Sequence, residues 1–216
     1  MITLAIANQK GGAAKTTTAA ALGAILAERG YKTLLVDLDP QASLTQGLGV
    51  EAAGRSLAEV LGAAEPGPLD LPAIVRTIAE RLDLAPSDIA LASTELGLIV
   101  RDVREFTLRR ALATVKSRYD VCIIDCPPSL GLLTVNGLAA ADGVLMPTLP
   151  AAADLRGLAL FQGTLRKVKQ FSPGLELIGV IITRFDGRLN SHNQALLALQ
   201  SAGLNVLSPV IPAGVK

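Results

Sequence analysis

Lys10, Lys15, Thr16, Asp37, Asp39 and Asp125 are the residues of this 216-residue chain whose types and spacing could do chemistry. Lys15 and Thr16 belong to the run Lys10-Gly11-Gly12-Ala13-Ala14-Lys15-Thr16-Thr17. That run lies between an apolar strand-like stretch, Ile2 to Ala7, and an alanine-rich helical pattern reaching about Arg29. This context suits a phosphate-binding loop. Glycines let the main chain approach an anion, successive N–H groups converge on it, and the helix start adds a favourable dipole. Lys15 is then placed for the β- and γ-phosphates of a nucleotide, and the Thr16 hydroxyl for Mg²⁺. Asp37 and Asp39 close the apolar run that begins at Leu34, and Asp125 closes the one that begins at Val121. Ligands of open α/β sheets sit at the carboxyl ends of strands, so these three carboxylates are expected at the edge that carries the loop. An acid after four apolar residues is one way of holding Mg²⁺, directly or through water.

The loop departs from the common pattern G-x-x-x-x-G-K-[ST] in two ways. Gln9 and Ala14 occupy its outer glycine positions, and a second lysine, Lys10, stands five residues ahead of Lys15. If Ala14 adopts a positive φ, its methyl costs about 1 kcal/mol.

Composition sets the frame. Half of the residues are hydrophobic while aromatics make up 3%, so the core is aliphatic and suits a parallel sheet covered on both faces. The length fits one P-loop domain over residues 1–216. Mean hydropathy is +0.45, yet no apolar run reaches the roughly 18 residues a spanning helix needs. One charge-free stretch, Cys126 to Ala141, contains two prolines, Ser129, Thr134 and Asn136. No signal peptide is visible ahead of the first strand. Cys122 and Cys126 fall in one predicted strand, about 13 Å apart at 3.3 Å per residue, too far for a disulfide. Buried thiols in a reducing cytoplasm are expected. A net charge of +1 leaves any binding to nucleic acid to a local patch.

Strand-like runs near 2–7, 33–37, 82–85, 120–125, 143–149, 176–183 and 206–211 alternate with helical patterns. The latter fall near 15–29, 57–62, 88–99, 104–117, 131–141, 154–171 and 190–202. This alternation predicts an α/β fold: one doubly wound, mostly parallel sheet with helices on both faces. Residues 54–72, rich in Gly, Pro and Ala, are expected to form a mobile excursion. His192, the one histidine, rules out an imidazole-built metal site and reads as an exposed neighbour of a helix start.

With Lys10 ahead of it, the phosphate loop resembles the deviant Walker A motif, KGGxGKT, of the ParA/MinD family of ATPases. Asp37-Leu38-Asp39-Pro40-Gln41 is similar to that family's switch I, and Asp125-Cys126-Pro127-Pro128-Ser129-Leu130-Gly131 to its switch II. Leu84 to Ser87 resembles its IPS segment. Ile182 to Arg188 resembles the loop after its sixth strand, and Val210-Ile211-Pro212 the IP motif beside the adenine. The resemblance covers essentially the whole chain as far as Lys216, where members of the family usually continue with a further helix. It implies ATP and Mg²⁺ as cofactors and slow intrinsic ATP hydrolysis. Lys15 would act from its own protomer and Lys10 across a dimer interface, while Asp39 orients the attacking water. Thr16, Asp37 and Asp125 would hold the metal. Gly11, Gly12, Ala13, Ala14, Lys15, Thr16, Thr17, Arg184 and Pro212 would hold the nucleotide.

For a ParA/Soj-type member the resemblance further implies an ATP-bound homodimer, a ParB-like stimulating protein, non-specific double-stranded DNA as partner, and a cytoplasmic, nucleoid-associated location. The residues suggested for DNA are Arg184, Arg188 and Lys216, with Arg166, Lys167 and Lys169 as a second group. Three other readings stay open. One is a MinD-like membrane-positioning ATPase, which needs an amphipathic helix not seen in the chain; no membrane is expected. The others are an ATPase that positions a non-DNA cargo and a small-molecule P-loop ligase or kinase.

Overall fold

Val121–Asp125 reads VCIID and is buried at every position, as a strand is when helices cover both faces of its sheet. Runs of this kind organise the chain. The computed structural model describes residues 1–52, 54–63, 70–150 and 154–213. From the N-terminus it forms β1 (Ile2–Ile6), α1 (Lys15–Glu28), β2 (Thr33–Asp37), α2 (Ser43–Gly47), α3 (Leu57–Gly62) and α4 (Leu71–Ile74). A hairpin of β3 (Arg76–Ala79) and β4 (Leu82–Ala85) leads into α5 (Ala90–Leu98), a 3-10 turn at Arg104–Phe106 and α6 (Thr107–Ala113). Then come β5 (Val121–Asp125), α7 (Leu132–Ala140), β6 (Gly143–Thr148), α8 (Asp154–Phe171), β7 (Glu176–Ile182) and α9 (Asn190–Ser201).

The sheet runs β3-β4-β2-β5-β1-β6-β7, and every pairing is parallel except that of the edge strand β3 with β4. This is the doubly wound α/β sheet expected from the alternation. Register does the positioning. Asp125 stands beside Ile6 of β1 on one side and beside Asp37 of β2 on the other. The first turn of α1 begins directly after the loop that leaves β1.

Period-two alternation sends side chains to opposite faces of the sheet. Ile6, Leu35 and Ile123 pack with Ala19 and Ala27 of α1, while Leu34, Val36, Cys122 and Ile124 meet α3, α7 and α8. Among the described residues Phe161 is the one fully buried aromatic side chain, in line with the aliphatic core. Cys122 and Cys126 are both buried and unpaired. Among the described residues no helix is long and apolar enough to cross a membrane.

Several elements differ from expectation. β3 was not anticipated: its alternately half-exposed residues, RTIA, lack the apolar run of a central strand, and an edge strand needs none. The expected strand at 206–211 reduces to isolated bridges, Val180 with Val206 and Phe185 with Pro212. The helix expected over 104–117 starts as a 3-10 turn and ends at Ala113. Within the expected excursion over 54–72, α3 is ordered by a capping box. The Ser56 hydroxyl accepts from the Ala58 N–H, and Glu59 accepts from the Ser56 N–H at 2.7 Å. Residues 64–69 of that stretch lie outside the described residues.

Gly137 is where α7 comes closest to the sheet. A methyl there would meet the Cys126 sulfur at 2.8 Å and a Leu38 methyl at 3.2 Å. Gly137→Ala is expected to destabilise the fold by roughly 1–3 kcal/mol through overpacking; urea unfolding monitored by circular dichroism measures this.

Candidate functional site

The loop between β1 and α1 is pinned to its neighbours by polar side chains. Asn8 donates to the Pro147 carbonyl at 2.7 Å and accepts from the Lys10 N–H at 3.1 Å. The Thr183 hydroxyl, buried at the end of β7, bonds the Ala13 and Thr148 carbonyls. Gly12 has φ 72° and Ala14 φ 66°, so the condition for strain at Ala14 is met. Nothing lies within 4 Å of a methyl built on Gly11 or Gly12. Their exposed main chain therefore lines an open cradle, while Ala13 beneath is buried. Lys10 and Thr16 are half-exposed and Thr17 is exposed.

Lys15 is 7% exposed and turns back to donate to the Lys10 carbonyl at 3.4 Å. Burial pushes its ammonium below the ordinary lysine range, and the charges of Asp125 and Asp39 pull it partway back. Asp125 is 1% exposed, and neither of its carboxylate oxygens has a hydrogen-bond partner. Burial pushes its carboxyl up to about 7. Thr16 faces it and draws it down without meeting hydrogen-bond geometry, and the neighbouring Asp37 adds a further upward push.

Asp37 and Asp39 have different surroundings. The fully buried Asp37 accepts from the Thr45 N–H and hydroxyl, at 2.8 and 2.7 Å, and from the Asp39 N–H at 3.2 Å. Burial raises its carboxyl, with the Thr45 bonds opposing. Its acceptor capacity goes largely to fastening the start of α2. Asp39 is half-exposed beyond the strand end and accepts from the Gln41 N–H at 3.0 Å.

An orphaned buried carboxylate is costly unless something binds it. Among the described residues no group of three His, Cys, Asp or Glu side chains could hold a metal by itself. Mg²⁺ asks for less: it is usually held by one or two carboxylates, waters and the substrate's phosphates. Asp125 and the Thr16 hydroxyl, facing each other beside an open glycine cradle, fit that donor set.

The family model described as "AAA domain" matches residues 1–177. The sporulation initiation inhibitor protein Soj of Bacillus subtilis is 42% identical, over 99% of this chain and 85% of Soj. The chain belongs to the ParA/Soj family of P-loop ATPases. A Mycobacterium smegmatis structure described as cobyrinic acid a,c-diamide synthase with bound ADP and magnesium is 43% identical. It superposes with a TM-score of 0.93 over 99% of this chain and 87% of that one. A plasmid partition protein from Borrelia burgdorferi is 28% identical, with a TM-score of 0.81 over 93% of this chain and 85% of that one.

Of the ParA-type site residues expected from sequence, the loop, Lys15, Thr16, Asp37, Asp39 and Asp125 converge on one sheet edge. Arg184, at φ 55°, is exposed, and Pro212 is bridged to the adjoining Phe185. Arg188 is 90% exposed and makes a two-pronged ion pair with Asp186, at 2.7 and 2.9 Å. Lys216 lies outside the described residues. Arg166, Lys167 and Lys169 are exposed on α8 while the neighbouring Leu165 and Val168 are buried, the pattern of a solvated helix face.

Three positioning residues were not anticipated. Glu95 accepts from the Leu133 N–H at 3.0 Å, capping α7 just after the switch II segment. Asn136, fully buried, accepts from the Leu108 N–H and donates to the Arg104 and Leu132 carbonyls. His192 is half-buried, not an exposed bystander: its Nδ1 accepts from the Asp186 N–H at 3.0 Å. An apolar run followed by Asn marks a buried polar anchor in principle, but nothing local names its partners.

The raised Asp125 pKa means that the native state keeps a proton the unfolded chain has lost between about pH 4 and pH 7. Stability therefore falls as pH rises through that window. Asp125→Asn is expected to gain on the order of 2 kcal/mol in the nucleotide-free protein at pH 8, and less at pH 5. Thermal unfolding at the two pH values measures the difference.

Proposed function

We propose that this protein is an ATP-driven switch for DNA partitioning. It binds ATP with Mg²⁺, pairs with a second copy around the nucleotides, holds double-stranded DNA without sequence preference, and lets go after hydrolysis stimulated by a ParB-like protein. One observation carries the proposal: two lysines five residues apart on one loop, of which Lys15 is buried against the carboxylates while Lys10 stands half-exposed at the loop's outer end.

The residues divide the work. The open main chain of Gly11 and Gly12, with the start of α1, cradles the phosphates. Lys15 meets the negative charge of the β- and γ-phosphates, which opposes the downward push of burial on its ammonium. Thr16 and Asp125 hold Mg²⁺, which neutralises charge on the β- and γ-oxygens when bound. Asp37 is the stay from which Asp39 hangs, and Asp39 orients water in line with the γ-phosphate. Lys10 reaches the partner's nucleotide, so the pairing of copies reports the triphosphate. Arg184 and Pro212 lie toward the base. Neutral, slow chemistry suits a switch whose timing comes from a second protein.

A second reading takes its support from the M. smegmatis structure's description: ATP-dependent amidation of a corrinoid carboxylate. Glutamine-dependent amidation calls for an exposed, acidified thiol. Both cysteines of this chain are buried, and burial pushes both thiols up. The switch accounts better for Lys10.

Lys15→Ala is expected to abolish nucleotide binding measured by calorimetry. Lys10→Ala should leave ATP affinity within about threefold, a difference under 1 kcal/mol, and remove the ATP-dependent dimer seen by light scattering. An undiminished dimer in Lys10→Ala rejects the cross-subunit role.

For DNA, Arg184→Glu is expected to weaken ATP-dependent duplex binding and to lower the salt slope by about one phosphate contact. Arg188→Glu should have the smaller effect, because Asp186 already engages that guanidinium. Anisotropy titrations over a salt series read both, and anionic vesicles in place of DNA test the membrane alternative.

A further inference from the structure

A cleft of about 570 Å³ opens at the amino edge of the sheet, opposite the edge that carries the phosphate loop. Its rim is built where strands begin. Lys32 immediately precedes β2, Arg81 immediately precedes β4, and Arg118-Tyr119 lead into β5, while Thr77 and Ala79 of β3 form one side. The parallel register sets Thr33 level with both Leu82 and Val121, so these three approaches lie next to one another. ATP chemistry at the other edge makes no use of them.

The rim stands on a fixed frame. The Thr33 N–H donates to the Arg81 carbonyl, and the Asp120 N–H to the Lys32 carbonyl, both at 2.8 Å. The Lys32 N–H returns a bond to the Asp120 carboxylate at 2.8 Å. Tyr119 is buried and donates its hydroxyl to Asp83 at 2.7 Å, and the Arg118 guanidinium lies over its ring at 5.9 Å.

Three cations, Lys32, Arg81 and Arg118, line the cleft with two acids, Glu80 and Asp83. The acids do not neutralise them. Asp83 is engaged by the Tyr119 hydroxyl, and the Glu80 side chain is 91% exposed and 3.8 Å from Arg81. Among the described residues neither Lys32 nor Arg118 has an ion-pair partner. Arg81 adds a second kind of evidence. It sits at φ 61° in the turn between β3 and β4, where glycine is free of strain and arginine is not. A backbone outlier that places a long cation on the rim of a cleft points to a use for that cation.

From this arrangement we infer that the cleft is a second anion site, for a small phosphate-bearing molecule that binds independently of ATP. Two guanidinium forks and an ammonium from three segments match the several oxygens of a phosphate, and the Thr77 hydroxyl supplies a neutral donor. The volume suits a ligand of metabolite size. Glu80, projecting from the rim, repels the continuous polyanion of a duplex, which favours a small molecule over DNA.

The test uses the full chain with its P-loop filled by ADP and Mg²⁺, titrated calorimetrically with ribose 5-phosphate as the probe. One saturable event per chain is expected, and none with ribose. Lys32→Gln combined with Arg118→Gln should weaken the probe about tenfold or more while leaving ADP affinity unchanged. Arg81→Gly should also weaken it, yet keep or raise the thermal midpoint, because glycine takes the positive φ freely. Absence of saturable binding, or equal affinity in the double variant, overturns the inference. So does a double variant that loses ATP-dependent duplex binding instead, which assigns the cations to DNA. A midpoint that falls in Arg81→Gly with probe affinity intact makes Arg81 a structural residue of the turn and removes it from the site.

Discussion

Two carboxylates at adjacent strand ends, with one desolvated lysine to face them, are the constraint around which this molecule is arranged. The parallel register of β2 and β5 sets Asp37 beside Asp125, and neither can leave without moving its strand. Two buried negative charges in contact are unfavourable, so their environments are made unequal. Asp37 is supplied with three donors, whereas Asp125 has none and is pushed up to about 7. The unmet acceptor capacity is then directed at the cradle, where Thr16 and Lys15 stand. A site built this way is unfavourable when empty and relieved when cations and phosphates arrive, so ligand binding is coupled to stability.

The parallel sheet makes this possible cheaply. Crossover helices return every strand in one direction, so carboxyl ends collect at one edge. Cross-strand main-chain bonds then lock that edge: Leu38 N–H to the Asp125 carbonyl at 2.9 Å, and Cys126 N–H to the Ile6 carbonyl at 3.1 Å. The segments that move in a switch thus start from rigid anchors one residue away. Ala14 fits the same logic. Its left-handed conformation is held by a loop pinned through Asn8 and Thr183, and a strained residue persists where its surroundings over-determine it.

Chemistry at strand ends was legible in the sequence because it combines a period-two or continuous apolar run with a polar terminus. Leu34 to Asp39 and Val121 to Asp125 each announce a buried strand and the edge it feeds. The elements that escaped have no such signature. β3 is an edge strand with one partner, so its residues answer to β4 alone and carry no apolar pattern. Residues 206–211 are apolar like a strand, yet lie at the far rim beyond β7, where only isolated bridges form. α2 has five residues and no side-chain cap of its own; it exists because Asp37, six residues before its first residue, accepts the Thr45 N–H. Side-chain anchors such as Glu95 and Asn136 were invisible for a related reason. Apart from the Leu132 carbonyl, their partners lie 28 to 38 residues away in sequence, a pairing that only the fold creates.

The placement of α5 connects these points. Its N-terminal approach holds Thr45 and through it Asp37, while its middle holds α7 through Glu95. The P-loop itself is fastened elsewhere, to β6 and β7 through Asn8 and Thr183. Nucleotide grip and switch position are therefore secured by different parts of the fold. The segments that follow β2 and β5 thus share an anchor at α5 that the phosphate loop does not use.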